Sequence, residues 1–446
     1  MNLSGTICIN GQGHLEIGKC DVVELAKTYG TPLYVLDEDG IRQKCREYLD
    51  AFRSYYPRYK VLYAGKAFST MAIFRLVEQE GLGIDVVSGG ELYTALAANF
   101  SPKNIYFHGN NKSMEELNFA LSAGVGQIVV DNPYELETLA QLVEGRKKRV
   151  DILLRLTPGI ETHTHHYIQT GQLDSKFGIS LAGGAALAAV KQALKYRRLK
   201  LRGIHCHIGS QVHNSESFAL AARRMVEFLA QIREETGRQL PELNLGGGLG
   251  IAYAKEDNPE PIALYIRRIT EAVKAACSEE DINLPTLVVE PGRSLVGEAG
   301  VAIYRVGAIK EIEGIRTYVS VDGGMADNPR PALYDAKYKA ILANKAARSP
   351  VQKYTIAGKC CESGDILIKD AHLPPVEAGD LIAVPSSGAY QYAMASNYNR
   401  LPRPAVVMAS QGRAEVIIRR ETYNDLVRYD RIPSSWGEKE SLSLVM

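Results

Sequence analysis

The sequence has no excess of either charge: 52 Lys and Arg stand against 51 Asp and Glu, a formal net charge of +1. No global field therefore draws the chain to nucleic acid or to an anionic membrane, and the expected partner is a small molecule. Long apolar runs are also missing, none approaching the length of a membrane span. The opening MNLSGTICINGQGHLEIG has neither the basic start nor the apolar stretch of a secretory leader, which predicts a mature cytoplasmic protein. Seven cysteines, an odd number with Cys360 and Cys361 adjacent, make no disulfide framework in 446 residues; they suit a reducing compartment. Short repeats, low-complexity segments and obvious flexible linkers are absent too.

What remains is an ordinary globular composition, 46% hydrophobic and 23% charged, over a length that suggests two or three domains. Eight short β-rich runs stand at 61–66, 83–88, 105–109, 127–131, 151–156, 202–207, 242–247 and 286–291. Segments such as SMEELNFALSA and PYELETLAQLVEG lie between them, with apolar residues three and four apart as in amphipathic helices. This alternation predicts a (β/α)8 barrel over residues 31–305, with an open doubly wound sheet as the alternative. Lys66, Ser88, His108, Asp131, Arg155, His205, His207 and Glu290 fall at or near the C-terminal ends of these runs. In a barrel that end carries the active site. After Arg305 the pattern becomes short strands punctuated by Gly and Pro, and with the hairpin-like residues 1–30 it predicts a second, all-β domain of 1–30 plus 306–446.

Three motifs carry chemistry. LNLGGGLG sets Gly246, Gly247 and Gly248 after the seventh run, where barrels often cradle a phosphate on backbone N–H groups; it also reads as a plain turn. HCHIGSQ puts His205 and His207 on one strand face, as a metal pair, as a flat ring beside a planar cofactor, or as buried core. EPGRS ends the eighth run with Glu290 and Arg293 across a Pro-Gly turn. With Lys66 at the end of the first run, the set suggests pyridoxal 5'-phosphate, which needs a lysine, a phosphate cradle and a group tuning its ring nitrogen. HTHH at 163–166 reads as solvated loop, because no Cys or acidic ligand spacing accompanies it.

YAGKA, HGNNK, SKFG, HCHIGSQ, GGGLG, EPGRS, DGGMADNPRPALY, CCESGD and SGAYQ, in this order, resemble the motif series of the diaminopimelate decarboxylases, the barrel-type, alanine-racemase-like branch of pyridoxal-phosphate enzymes. The resemblance implies decarboxylation of meso-2,6-diaminopimelate to L-lysine. It makes Lys66 the residue that holds the cofactor covalently, His207 the ring stacked on it and Glu290 the partner of its pyridine nitrogen. Ser210, Gly246 to Gly248, Arg293 and Tyr390 would surround the phosphate, with Asp85 nearby. Arg293, Arg330, Tyr334, Glu362 and Tyr390 would contact substrate. Cys361, from the second subunit of a homodimer with shared sites, would be the proton donor. Arg330 suits the distal carboxylate of diaminopimelate and Glu362 its distal ammonium. Two positions depart from the family pattern, Phe68 and Thr157, where Asn is frequent. The alternatives are a decarboxylase of D-lysine, D-ornithine or carboxynorspermidine, a metal-dependent barrel hydrolase, and a silent cofactor-binding regulator.

Overall fold

The computed structural model describes residues 4–160, 175–254 and 256–436. The HTHH stretch therefore lies outside the described residues. Eight parallel strands form a closed barrel: β1 (Tyr59–Ala64), β2 (Gly83–Val86), β3 (Ile105–Phe107), β4 (Gln127–Val130), β5 (Val150–Thr157), β6 (Leu199–His205), β7 (Glu242–Asn244) and β8 (Thr286–Val289). Closure is made by β8 pairing back onto β1, with Val288 opposite Lys60 and Val289 opposite Val61. A closed sheet has no free edge to protect, which rules out the doubly wound alternative. Inside, Leu62, Tyr106, Val129, Leu153 and Val288 pack as one buried cluster.

The N-terminal mouth of the barrel is plugged by a polar network. Tyr106 Oη donates to Glu242 Oε1 at 2.8 Å, Gln127 Nε2 donates to both, and Lys60 Nζ lies 3.2 Å from Glu242 Oε2. The plug leaves the opposite mouth as the open one. β6 reaches that mouth past a register shift between Leu201 and Gly203, where any side chain would meet the carbonyl of Glu242 at 1.9 Å.

Helices pack outside the strands, and their starts follow local rules. Thr70, Ser88, Ser113 and Asn132 each cap the helix that follows β1, β2, β3 or β4, accepting a backbone N–H of its first turn. Ser88, one of the polar residues at the strand ends, is thus a helix cap. The helix Glu38–Tyr55 buries Ile41, Cys45, Tyr48 and Phe52, a stripe at spacings of four and three, against the helix Ile262–Glu279.

The second domain is a β-rich layer containing all six strands expected after Arg305: Arg316–Val321, Gln352–Ala357, Ile366–Leu373, Leu381–Val384, Ala405–Ser410 and Arg413–Ile418. Its spine is the long strand Gly300–Ile312, which straddles residue 305. Leu33–Asp37, inside the 31–305 span read as barrel, pairs antiparallel with Gly300–Ile303 and parallel with Ala405–Ala409, so it belongs to this layer. All five of its residues are buried, and such a run fits either sheet until the pairing is known. The N-terminal hairpin, Cys8–Ile9 with Leu15–Ile17, packs on the same layer through Leu15 and Ile17 against Leu33, Val301 and Val407.

Candidate active site

At the open mouth lies a cavity of about 1200 Å³, lined from both domains. Lys66, His207, Ser210, Gly248, Glu290 and Arg293 enter from the barrel, and Arg330, Tyr334 and Tyr390 from the β layer. Lys66 sits in the tight turn Gly65–Ala67 just past β1, its side chain reaching the cavity. Its side chain is exposed to the cavity; the surrounding protein would lower its pKa, but Asp85 first among its neighbours outweighs that and raises it. Asp85, at the end of β2, is buried with neither oxygen hydrogen-bonded among the described residues. Burial pushes its carboxyl well above the usual range, against the pull of Lys66.

Glu290 follows β8 and is held from three sides. Asn244 Nδ2 donates to its Oε1 at 2.7 Å, and His205 Nε2 lies 3.2 Å from its Oε2. His108 Nε2 lies 2.9 Å from Oε1, within ion-pair distance but off the angle of a hydrogen bond. Burial favours the protonated acid, yet His108 and His205 together draw Glu290 well below the usual carboxylate range. Burial lowers both imidazoles, His205 to about 4. The arrangement is one carboxylate braced by two neutral rings.

The HCH pair does not by itself make a metal site. β6 ends at His205, so His207 lies just beyond the strand, yet both side chains line the cavity. Among the described residues, the three groups close enough for one ion are His108, His205 and Glu290, with ligand atoms within 4.8 Å. Both histidines are directed at Glu290, whose Oε1 is also taken by Asn244, so the cluster serves to orient a carboxylate. His207 has a different setting: Gly247 N donates to its Nδ1 at 3.2 Å, and burial, with Lys66 and Arg155 nearby, holds its pKa well below the ordinary value. A neutral flat ring at the cavity wall is the result.

Across the cavity Arg293 Nη2 donates to Ser210 Oγ at 2.9 Å and Nη1 to Tyr253 Oη at 2.6 Å. Its Nε is buried without a hydrogen-bond partner, and no carboxylate pairs with it among the described residues. A buried guanidinium with only neutral acceptors fits an anion. The glycines bring backbone to the same place: a Cβ on Gly247 would stand 2.0 Å from the carbonyl of Glu290, so only glycine lets this loop press against the end of β8. Lysine, neutral ring, buried carboxylate and anion cradle are the parts that pyridoxal phosphate requires.

The remaining expected residues divide. Gly246 and Gly247 lie behind the wall, Gly246 N donating to Asn244 Oδ1 at 2.9 Å. Cys361 and Glu362 are exposed and do not line the cavity of their own chain. Phe68 is buried edge-on to Tyr392, and Thr157 Oγ1 donates to the carbonyl of Phe177, whose ring lies under the Arg155 guanidinium at 4.3 Å. Both departures from the pattern thus have structural partners. Tyr253, Asn244 and Phe177 were not expected at the site. The available signal for Asn244 was an amide inside the otherwise apolar strand LNL, and for Tyr253 an aromatic just past the glycine loop.

Residues 38–297 match the family model described as pyridoxal-dependent decarboxylase, pyridoxal binding domain. The diaminopimelate decarboxylase of Bacillus subtilis is 51% identical over 440 residues, covering 99% of this chain and 100% of that protein. That of Halalkalibacterium halodurans is also 51% identical, covering 96% and 98%. The crystal structure of diaminopimelate decarboxylase from M. jannaschii in complex with L-lysine superposes with a TM-score of 0.90 at 35% identity, covering 97% of this chain and 100% of that one. With that likeness running the length of both domains, this chain belongs to the diaminopimelate decarboxylase family of pyridoxal-dependent decarboxylases.

Proposed function

We propose that the chain decarboxylates meso-2,6-diaminopimelate to L-lysine and carbon dioxide. The observation that carries the choice of substrate is Arg330. It is buried, it faces the cavity of Lys66 and Glu290, and among the described residues it has no carboxylate partner. A substrate with one carboxylate to lose and another to bind satisfies that charge; ornithine would present it with an ammonium.

Pyridoxal 5'-phosphate, when bound, supplies the sink for the electron pair left as carbon dioxide departs. Lys66 would hold it, Ser210, Arg293, Tyr390 and the Gly248 backbone its phosphate, His207 its ring face and Glu290 its ring nitrogen; Gly246 and Gly247, expected at the phosphate, spend their N–H groups on Asn244 and His207 and lie behind the wall. An ionised Glu290 would keep a proton at that nitrogen. Arg330 and Tyr334 would orient the far end of the substrate in the cavity that both domains line. Borohydride treatment of the holoenzyme followed by peptide mapping is expected to find the pyridoxyl group on Lys66; label on another lysine removes this assignment.

Cys361 and Glu362 act from a second copy of the chain, Cys361 as proton donor and Glu362 toward the distal ammonium. Their exposure away from the cavity of their own chain supports a homodimer with shared sites, and a free thiol at Cys361 suits the cytoplasm. Lys66→Ala and Cys361→Ala homodimers should each lose most activity. Mixed with subunit exchange at equal amounts, they should recover about a quarter of wild-type activity, since half the dimers are mixed and each has one intact site. Absence of recovery, with exchange verified by mass, assigns both residues to one subunit.

A further inference from the structure

Tyr253 lies between the two buried arginines of the cavity and touches both, with its shortest hydrogen bond to one and its closest ring contact to the other. Its hydroxyl accepts from Arg293 Nη1 at 2.6 Å, and that guanidinium lies further from the ring, at 5.7 Å. Its ring face lies 4.7 Å from the guanidinium carbon of Arg330. The ring is fixed in turn: Tyr338 meets it edge-on at 5.2 Å, and Asp257 Oδ2 accepts from the backbone N–H of Tyr253 and Ala254 at 2.8 and 2.9 Å. Tyr338 Oη also accepts from Arg330 Nη1 at 2.7 Å.

We infer that Tyr253 is a positioning residue that holds Arg293 for the cofactor phosphate through its hydroxyl and Arg330 for the substrate's distal carboxylate through its ring. The physical need is plain. Two buried guanidiniums repel each other, and a carboxylate placed between them would neutralise the charge each keeps for its ligand. A neutral phenol orients both without cancelling either, by a hydrogen bond at one end and a cation–π contact at the other. The inference rests on the proposed decarboxylase reading for the identity of the second anion, while the phosphate half stands without it.

The two halves separate by substitution. Tyr253→Phe removes the hydroxyl and keeps the ring, so cofactor affinity, read by absorbance titration of the apoenzyme with no substrate present, should fall about tenfold, the scale of one hydrogen bond to a charged group. At saturating cofactor the KM for diaminopimelate should stay within about twofold. Tyr253→Leu removes both contacts and should raise that KM about tenfold as well, with kcat changing less. Unchanged cofactor affinity in Tyr253→Phe, or a KM rising there as much as in Tyr253→Leu, overturns the inference; the Phe variant alone can do so if the Leu variant does not fold. Failure of the wild type to release carbon dioxide from diaminopimelate would sink the functional reading and leave the cofactor measurement standing.

Discussion

Arg330→Ala should lower kcat/KM for diaminopimelate by about 2–5 kcal/mol, the cost of truncating one side of a buried charge pair. The reason lies in what surrounds the guanidinium. Arg330 donates to Tyr338 Oη and lies over the rings of Tyr253 and Tyr338, all neutral groups. Burial alone would lower its pKa, but its contacts with the two tyrosines raise it on balance, and a guanidinium stays cationic at any working pH. With the arginine gone, the distal carboxylate of the substrate would enter an aromatic pocket unpaired. D-Lysine lacks that carboxylate and should lose much less. L-Lysine keeps it, and as a product inhibitor should weaken in parallel with diaminopimelate. The comparison is made by steady-state kinetics of one variant with three ligands. Equal losses for D-lysine and diaminopimelate would mark Arg330 as structural and remove the specificity argument.

How far such a site can be read from sequence depends on whether its signal is local. The barrel was legible because each strand is a short apolar run and a row of polar residues, Lys66 to Glu290, follows the C-terminal ends; the second polar set, Lys60, Gln127 and Glu242 at the strand starts, plugs the other mouth and was not read from the sequence. Lys66, Glu290 and Arg293 stood out for that reason. Leu33–Asp37 was misplaced because its residues are buried in any setting, and only pairing with Gly300–Ile303 and Ala405–Ala409 shows which sheet it joins. His205 and His207 carry the same chemistry two positions apart, but the strand ends between them. One therefore braces a carboxylate while the other takes a hydrogen bond from the glycine loop. Tyr253 was missed altogether. Its role depends on two arginines that lie 40 and 77 residues further along the chain, and no spacing rule links a phenol to both.

Glu290→Gln is expected to retain the cofactor and to lose turnover by about 100-fold or more, the scale of removing one preorganised electrostatic stabiliser. Retention follows because the lysine and the anion cradle are untouched; Ser210, Arg293 and Tyr253 are bonded to one another and not to Glu290. The loss follows from charge. Glu290 accepts from Asn244 and His205 and lies against His108, and these groups hold it ionised against a burial penalty that would otherwise neutralise it. An amide of the same shape cannot carry that charge. It also brings an NH2 group to a position surrounded by donors: with its carbonyl toward Asn244, its amide nitrogen would face His205 Nε2, and the imidazole must change tautomer to accept. His205 Nδ1 has no hydrogen-bond partner among the described residues, so it can take the proton. The fold should therefore survive while the negative charge proposed to face the ring nitrogen does not. Cofactor content by absorbance and carbon dioxide release measured on the same preparation separate the two effects. Near-normal turnover in a fully loaded variant would show that another group supplies the negative charge, and the carboxylate braced by two histidines would then be structural.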